Sequence, residues 1–269
     1  MIDAYGIHLG PLYLRFYALI LIAGMVVGAW LVARRAPNYG LDRSLVWDGV
    51  VWAVIPGLIG ARLYHVLTPS PASGLTTEYY LQNPLQMLAI WEGGLGIYGA
   101  IVGGMLGIAA YGLRHKQPLL RWLDLIAPSM AIGQGIGRWG NFVNQELYGR
   151  PTDLPWAIYI DLANRLPGYE AFERFHPLFL YESVWNIGFG VLLMVLAWRG
   201  RAWLRPGDVL TLYIMQYAVI RFLLDFLRLD SHGIAGIPAF TTAQIIAMIG
   251  FVGGLAFLIG RRVVGKKRA

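Results

Sequence analysis

The segment GRWGNFVNQELYG, residues 137–149, carries an arginine, two asparagines and a glutamate between three glycines, directly after an apolar run. Arg138 stays charged in lipid and offers a planar fork of donors that fits phosphate. Asn141 and Asn144 can each donate to and accept from neutral hydroxyl or carbonyl groups. Glu146 can orient an arginine or take part in proton transfer. The segment therefore predicts a site for a polar ligand with an anionic group.

A second set of polar residues lies in the apolar segment YAVIRFLLDFLR. Its members stand at i, i+4, i+8 and i+11, so a helix would place them on one face: Tyr217, Arg221, Asp225 and Arg228. One interpretation is an Arg221–Asp225 ion pair that holds helices together. The other is a ligand site, because ionisable residues inside a bilayer are costly and are usually functional.

Other polar residues fall at the same predicted depth, near the outer ends of their segments: Arg15, Tyr17, Glu92, Tyr98, His176, Tyr181 and Glu182. Each also has a simpler interpretation. The tyrosines could be interface aromatics, Arg15 a snorkelling anchor and His176 a turn marker before proline. Arg62 and His65, in the second segment, face the same cavity or pair for packing. Two arginines at headgroup level, Arg138 and Arg221, predict a phospholipid headgroup as ligand.

The elements that carry these residues are predicted to be transmembrane helices. Of 269 residues, 57% are hydrophobic and 14% are charged, which is too little charge to cover a soluble surface. Seven apolar segments approach the roughly 20 residues that span a bilayer; they lie near 12–33, 46–68, 85–112, 120–137, 177–198, 207–228 and 241–260. The third is overlong, and Gly93-Gly94 is a candidate break. The predicted fold is all-α and polytopic.

Glycines spaced four apart in the third segment, Gly99, Gly103 and Gly107, predict close helix packing. The fourth segment is short and holds Asp124, Pro128 and Gln134, so it is expected to lie buried among other helices.

The basic residues predict the orientation. Most of the 22 lysines and arginines lie in four connections, 34–43, 114–121, 199–205 and 261–268, whereas the loop 69–84 has none. By the positive-inside rule the N-terminus is outside and the C-terminus is cytoplasmic. The net charge of +7 is then a topology signal, and nucleic acid is not an expected partner.

The first segment has the pattern of a retained helix rather than a signal peptide. Residues 1–269 form a single integral membrane domain, with 138–176 as a small extracytoplasmic cap.

The sequence also narrows the chemistry. It has no cysteine, and it shows no metal-ligand spacing, phosphate-binding loop or Ser-His-Asp order. We therefore expect no metal and no cofactor. Acids, arginines and tyrosines without an evident nucleophile suit a transferase whose acceptor supplies the nucleophile.

The segment 137–149 resembles the signature of the bacterial prolipoprotein diacylglyceryl transferases, Gly-Arg-x-Gly-Asn-Phe-x-Asn-x-Glu-x-x-Gly. LRFYAL, GARLYHVL, DLIAP, HPLFLYE and YAVIRFLLDFLR are similar to further family motifs. The matching positions are Gly137, Arg138, Gly140, Asn141, Phe142, Asn144, Glu146 and Gly149, with Tyr17, Arg62, Asp124, His176, Glu182 and Arg221 inside the other motifs.

The resemblance implies seven transmembrane helices with the N-terminus outside, in the bacterial inner membrane, and a site facing the outer leaflet. It implies transfer of the diacylglyceryl group of phosphatidylglycerol to the lipobox cysteine of a prolipoprotein signal peptide. A thioether forms and glycerol 1-phosphate leaves. The implied catalytic residues are Arg138, Asn141, Glu146, Arg221, Tyr17 and Tyr98, and the implied phosphatidylglycerol-binding residues are Arg138, Arg221, Asn144, Glu182 and Tyr217. In this scheme Glu146 holds an arginine in place.

Two positions depart from the family pattern. Many relatives carry a histidine, often proposed as a base, where GIYGAIVGG has Tyr98. An unperturbed tyrosine, with a pKa near 10, is a poor base at neutral pH. Asp225 stands where many relatives have glutamate. The group that takes the thiol proton therefore stays unassigned.

Two other classes of protein remain open. A transporter would place its site near the bilayer midplane, often at broken helices related by repeats, whereas this polar set lies high and no repeat is evident. A phospholipid-binding scaffold without chemistry is separated from an enzyme only by an assay with membrane lipid and a lipobox peptide.

Overall fold

The protein is described from a computed structural model, over residues 2–10, 12–69, 74–200, 203–230, 233–234 and 237–266. Each of the seven predicted apolar segments contains one long helix. Their bounds are α1 Phe16–Arg35, α2 Ser44–Leu67, α4 Ile97–Arg114, α5 Leu119–Val143, α6 Leu178–Arg199, α7 Asp208–Asp225 and α8 Thr242–Lys266, with a short α3, Thr77–Gln82, between the second and third.

Five of these helices, among the described residues, are long and apolar enough to cross a membrane. They are α1, α2, α4, α6 and α8. The other two, α5 and α7, carry charged residues within their length: Asp124 and Arg138 in α5, and Asp208, Arg221 and Asp225 in α7. The protein is therefore a mostly helical polytopic membrane protein.

Two predicted segment ends were wrong, and the candidate break in the third segment is confirmed. Residues 12–15 form a strand, Leu12–Arg15 (β2), paired with Gly6–Leu9 (β1) in an antiparallel hairpin. The third segment does break at its two glycines: both have positive φ, and 84–92 contains only the short 3-10 helices Pro84–Leu88 and Ile90–Glu92. The fourth helix continues past 137 to Val143, so Arg138 and Asn141 are helical rather than part of a loop.

Contacts divide the chain into two compact units, residues 1–31 with 123–269, and residues 32–122. In the second unit α2 packs on α4 through the predicted glycines. A Cβ built on Gly99, Gly103 or Gly107 would lie 2.0, 2.1 or 1.8 Å from a backbone oxygen of α2. Only glycine allows this approach, so the packing prediction is confirmed.

Arg62 of α2 is buried in the same unit, and its guanidinium binds the backbone of the segment that precedes α4. It donates to the carbonyl oxygens of Gln86, Met87, Gly93 and Gly94 at 2.5, 2.9, 2.7 and 3.0 Å. Its guanidinium also lies 5.5 Å from the ring centre of Tyr80. Of the two interpretations of Arg62, packing is the one observed.

In the first unit, α5 contacts α1, α6 and α7. A Cβ on Gly24 would lie 2.7 Å from the Gly133 oxygen, and one on Gly190 would lie 2.9 Å from the Pro128 oxygen. Asp124 accepts the backbone N–H groups of Gly207 and Leu210 at 2.6 and 2.9 Å, which satisfies the free donors at the start of α7.

The connection between α5 and α6 is a small folded element of the first unit. Ile158–Tyr159 (β3) pairs antiparallel with Arg174–Phe175 (β4), and a short 3-10 helix, Leu162–Asn164, lies between them. Tyr148, Ile160 and Phe175 form its buried core. The remaining described strands, Gly233–Ile234 (β5) and Ile237–Thr241 (β6), pair just before α8.

Candidate functional site

A small pocket in the first unit gathers polar residues from α5, α6 and α7. Its empty space is about 260 Å³, including the open mouth. The pocket is lined by Arg138, Asn141, Leu147, Leu178, Phe179, Glu182, Arg221, Leu224 and Arg228. Three guanidinium groups therefore face one volume, alongside a single carboxylate.

Arg138 is the centre of a hydrogen-bond chain along one wall. Its Nη2 donates to Glu182 Oε1 at 2.5 Å, and its Nη1 to Asn141 Oδ1 at 3.4 Å. Asn141 Nδ2 in turn donates to Glu146 Oε1 at 2.9 Å, and Asn144 donates to the same oxygen at 3.4 Å. Asn141 thus uses both ends of its amide to join the arginine to Glu146. The expected arginine partner Glu146 instead holds the two asparagines, and Glu182 pairs with Arg138.

The backbone around Glu146 is held in an uncommon conformation. Gln145 and Leu147 have φ of 50° and 55°, a region that non-glycine residues enter at a cost of about 1–3 kcal/mol each. The contacts that offset this cost are close by: Gln145 exchanges two 2.7 Å hydrogen bonds with Asp161, and Glu146 N donates to Asn141 O at 3.0 Å. The folded connection therefore fixes the direction of the Glu146 carboxylate.

Arg221 is oriented by Asp225 of α7 and, through it, by Thr241 directly before α8. It lies 3.3 Å from Asp225, whose side chain is completely buried, while the arginine side chain is 25% exposed. Thr241 donates its hydroxyl to the other Asp225 oxygen. Thr241 also exchanges capping hydrogen bonds with Gln244, at 3.0 and 3.1 Å, in the capping-box pattern TTAQ. The predicted ion pair exists, and it leaves the guanidinium facing the pocket.

Arg228, just past the end of α7, forms a bidentate ion pair with Asp230. Its Nε and Nη2 donate to the two carboxylate oxygens at 2.9 and 2.5 Å. Burial raises the pKa of Asp230, but the hydrogen bonds from Arg228 outweigh it, so the pKa lies below its ordinary value. Arg228 thus stays paired at neutral pH.

Two tyrosines complete the polar wall. The Tyr217 hydroxyl lies beside the Arg138 guanidinium and close to Glu182 and Arg221. Tyr17 is half-buried near Glu146 and Arg138. Its ring lies over Gly140, where an added Cβ would approach Cδ2 to 2.7 Å. Glycine in the motif therefore makes room for the Tyr17 ring.

The other predicted residues are not among those that line the pocket. Tyr98 belongs to the unit 32–122; it is 61% exposed, and its ring centre lies 5.7 Å from that of Tyr64. His65 contacts the Tyr80 hydroxyl at 3.0 Å in that unit. Arg15 is exposed. The side chain of Glu92 and the basic residues Arg201, Lys267 and Arg268 are outside the described residues.

His176 and Tyr181 join the folded connection to α6. His176 Nδ1 lies 3.1 Å from the Tyr181 hydroxyl, which accepts from Trp156 Nε1 at 2.8 Å. Burial lowers the pKa of His176, so its ring is neutral at neutral pH. Neutral Nδ1 can accept the Tyr181 proton.

Thr241 is a site residue that the predicted set lacked, and Arg228 was not among the implied catalytic or lipid-binding residues. Arg228 was visible as the last member of the Tyr217–Arg221–Asp225 stripe. Thr241 could have been found from its capping-box spacing, but nothing local in the sequence indicates that its hydroxyl reaches Asp225. The apolar lining residues Leu147, Phe179 and Leu224 carry no signal that distinguishes them from lipid-facing residues.

Comparison with known proteins agrees with these features. Residues 4–260 match the model of the family described as prolipoprotein diacylglyceryl transferase. A phosphatidylglycerol–prolipoprotein diacylglyceryl transferase of Gloeobacter violaceus is 41% identical over 92% of this chain and 88% of its own. Similar relatives of that name are 42% identical in Streptomyces coelicolor, over 91% and 76% of the two chains, and 38% identical in Chloroflexus aggregans, over 94% and 87%.

Proposed function

Because the chain belongs to the prolipoprotein diacylglyceryl transferase family, we propose that its three-arginine pocket binds the phosphate of the donor lipid. The protein is a transferase. It moves a diacylglyceryl group from phosphatidylglycerol to a prolipoprotein, a step of lipoprotein maturation.

The observation that carries the assignment of the site is the convergence of Arg138, Arg221 and Arg228 on one pocket. Each guanidinium has a carboxylate partner that fixes its direction, and each keeps further N–H donors for a ligand. A phosphodiester offers the acceptor oxygens that these forks suit. Asn141 and Asn144 supply amide groups for the glycerol hydroxyls of the headgroup.

The bond changes are those of a displacement at carbon. The sulfur of the lipobox cysteine forms a thioether with the glyceryl carbon, and the bond from that carbon to the phosphate oxygen breaks. Glycerol 1-phosphate leaves with the bonding electrons, and the thiol proton passes to a base. Arg138 and Arg221 stabilise the negative charge that grows on the phosphate. Tyr17, Tyr98, Glu146 and Asn141 are the remaining candidates for catalytic contacts, and none is assigned as the base.

The chain crosses the membrane seven times, with α5 and α7 added to the five apolar helices. They have 25 and 18 residues, and Asp124 and Arg138 of α5 form hydrogen bonds with α7 and α6. The basic residues at one end support a cytoplasmic C-terminus. Arg205 Nη1 donates to Arg261 O at 2.5 Å, Arg261 Nη1 donates to Pro206 O at 2.6 Å, and Arg261 and Arg262 pair with Asp208. Arg221 then lies roughly 20 Å from the cytoplasmic end of α7, at about 1.5 Å per residue.

This depth supports a site that opens towards the outer leaflet of the bacterial inner membrane. The whole chain is one integral membrane domain, and 138–176, with the last turns of α5 as its base, is the extracytoplasmic cap. A secreted prolipoprotein presents its lipobox signal peptide on that side. The membrane lipids around the helices include the donor.

The test is a transfer assay with purified protein, phosphatidylglycerol vesicles and a lipobox peptide, scored by mass spectrometry for a diacylglyceryl increment on cysteine. Arg138→Ala is expected to lower the rate about 100-fold or more, because a preorganised charge partner of the phosphate is lost. Arg199→Ala, an exposed arginine at the far end of α6, serves as the matched control and should keep wild-type activity. Wild-type activity of Arg138→Ala would refute its role, and a wild-type protein that binds lipid without modifying the peptide would indicate a scaffold.

A further inference from the structure

A second polar layer lies one helical turn deeper than the pocket, on the same three helices. On α5, Gln134 precedes Arg138 by four residues; on α7, Tyr213 precedes Tyr217 by four. Helix α6 runs the opposite way, and there Asn186 follows Glu182 by four. Side chains four residues apart on a helix share a face and lie about 6 Å apart along the axis. Each deeper residue therefore lies under a polar residue of the site.

Two members of the deeper layer join α5 to α7. The Tyr213 hydroxyl donates to Gln134 Oε1 at 2.9 Å, and Tyr213 is buried. Tyr217 and Glu182 belong to the upper layer, the polar residues at the level of the pocket. Both lie close enough to the Tyr213 hydroxyl to act on it electrostatically. The pair is thus within electrostatic range of Tyr217 and Glu182, which surround Arg138.

Asn186 is the third member and is 0% exposed. Among the described residues neither its amide nitrogen nor its amide oxygen has a hydrogen-bond partner. An amide kept in a bundle core without such a partner is costly. An apolar side chain of similar size would fill the space without that cost, so stability alone does not account for the amide.

The helices meet closely at this depth. A Cβ on Gly135 would lie 2.6 Å from Ile187 Cγ1 and 3.0 Å from the Ser183 oxygen. With α5 and α6 in such contact, a polar group in the layer has little room to move. A hydrogen bond there fixes the rotation of α5 relative to α7, and hence the directions of the side chains one turn above.

We propose that the Gln134–Tyr213 hydrogen bond, at the same depth as Asn186, is a positioning layer that orients Arg138 and Tyr217 toward the lipid phosphate. This inference rests on the proposed function and adds positioning residues to it. None of the three touches the substrate in this scheme. They act through the geometry of the upper layer, where a displacement of about 1 Å is enough to slow a reaction strongly.

The test uses Tyr213→Phe, which keeps the ring and removes only the hydroxyl, together with Gln134→Leu. We expect either change to lower kcat roughly tenfold at saturating phosphatidylglycerol, with the KM for the lipobox peptide within about twofold of wild type. The double variant should be no slower than the slower single variant, because both changes remove the same bond.

The control is Thr211→Val. It removes another buried hydroxyl of α7, which among the described residues donates to Gly207 O, one turn back along the chain, at 2.7 Å. Its kcat should stay at the wild-type value, and its loss of thermal stability should match that of Tyr213→Phe. The inference is overturned if Tyr213→Phe keeps the wild-type kcat, or if its activity falls only in proportion to the loss of folded protein.

Different results would refute the positioning layer and the proposed function. If wild type modifies the peptide and Arg138→Ala does not, an unchanged Tyr213→Phe defeats only the positioning layer. If wild type itself fails to modify the peptide, the proposed function fails first.

Discussion

At the scale of single residues, the site is defined by how its arginines are held. Glu182, Asp225 and Asp230 each pair with one of the three arginines, so each of the three guanidinium charges has a counter-charge before a ligand enters. Such pairing gives little net attraction for an anion at long range. It gives fixed donor directions instead, which is what stabilises a phosphate as its charge grows.

His176 provides a pH test at the same scale. Burial lowers its pKa in the folded protein, so the unfolded chain binds the proton more readily than the folded one. The stability that the neutral ring contributes is full above the unfolded pKa, near 6.5, and is lost as pH falls through the folded value. Protonated Nδ1 can no longer accept the Tyr181 proton.

We therefore expect the thermal midpoint of wild type in detergent to fall between pH 7.5 and 5. In His176→Gln that fall should be smaller, by about 2 °C or more. His115→Gln, at an exposed position, should follow wild type. Identical pH curves for all three proteins would show that His176 does not couple the connection to α6 in this way.

At the scale of elements, the positions of helices followed from the sequence better than their ends did. The apolar segments placed every long helix, and the glycine pair marked the break before α4. The end of α5 was missed because the polar stretch 138–176 was predicted to be a cap beyond the helix, whereas in the structure Gly137 and Gly140 give space to Leu21 and Tyr17 within a continuing helix. A glycine that serves packing and one that ends a helix look alike in a single sequence.

The packing of α2 on α4 allows a matched pair of substitutions. Gly103→Ala would place its Cβ 2.1 Å from Pro56 O, whereas Gly104→Ala, one residue along, would place it no closer than 3.4 Å to Ala53 O. The first should destabilise the protein by about 1–3 kcal/mol through overpacking. The second should be neutral or slightly stabilising, because alanine favours helix. Equal unfolding midpoints for the two variants would contradict this packing.

The site was predictable in part, because the sequence indicates which residues share a helix face but not how the helices pack. The i, i+4, i+8, i+11 stripe and the glycine-rich motif indicated Arg221, Arg138 and Asn141, because helical periodicity fixes which residues share a face, and the predicted depth added Glu182; all four line one pocket. The carboxylate that pairs with Arg138 was not predictable. It is Glu182 rather than Glu146, because of how α5 and α6 pack. Tyr98 was expected with the pocket residues; it lies in the other compact unit.

At the scale of the whole molecule, the account depends on which side of the membrane each connection faces. The chain contains no cysteine, so single cysteines can be introduced without background. Ala171→Cys, exposed in the cap, should react with a membrane-impermeant maleimide on intact spheroplasts. His115→Cys, between α4 and α5, should react only after permeabilisation. The reverse pattern would invert the orientation and move the pocket to the inner leaflet.

The binding of phosphatidylglycerol without a peptide tests the central claim most directly. Purified wild type, Arg138→Ala and Arg199→Ala would be titrated with short-chain phosphatidylglycerol and, separately, with a zwitterionic lipid of the same chain length. The account predicts that Arg138→Ala binds phosphatidylglycerol at least about tenfold more weakly, because a charge-assisted hydrogen bond to phosphate contributes about 1.5–3 kcal/mol. It also predicts that Arg199→Ala binds like wild type. Equal affinity of Arg138→Ala and wild type for phosphatidylglycerol would contradict it.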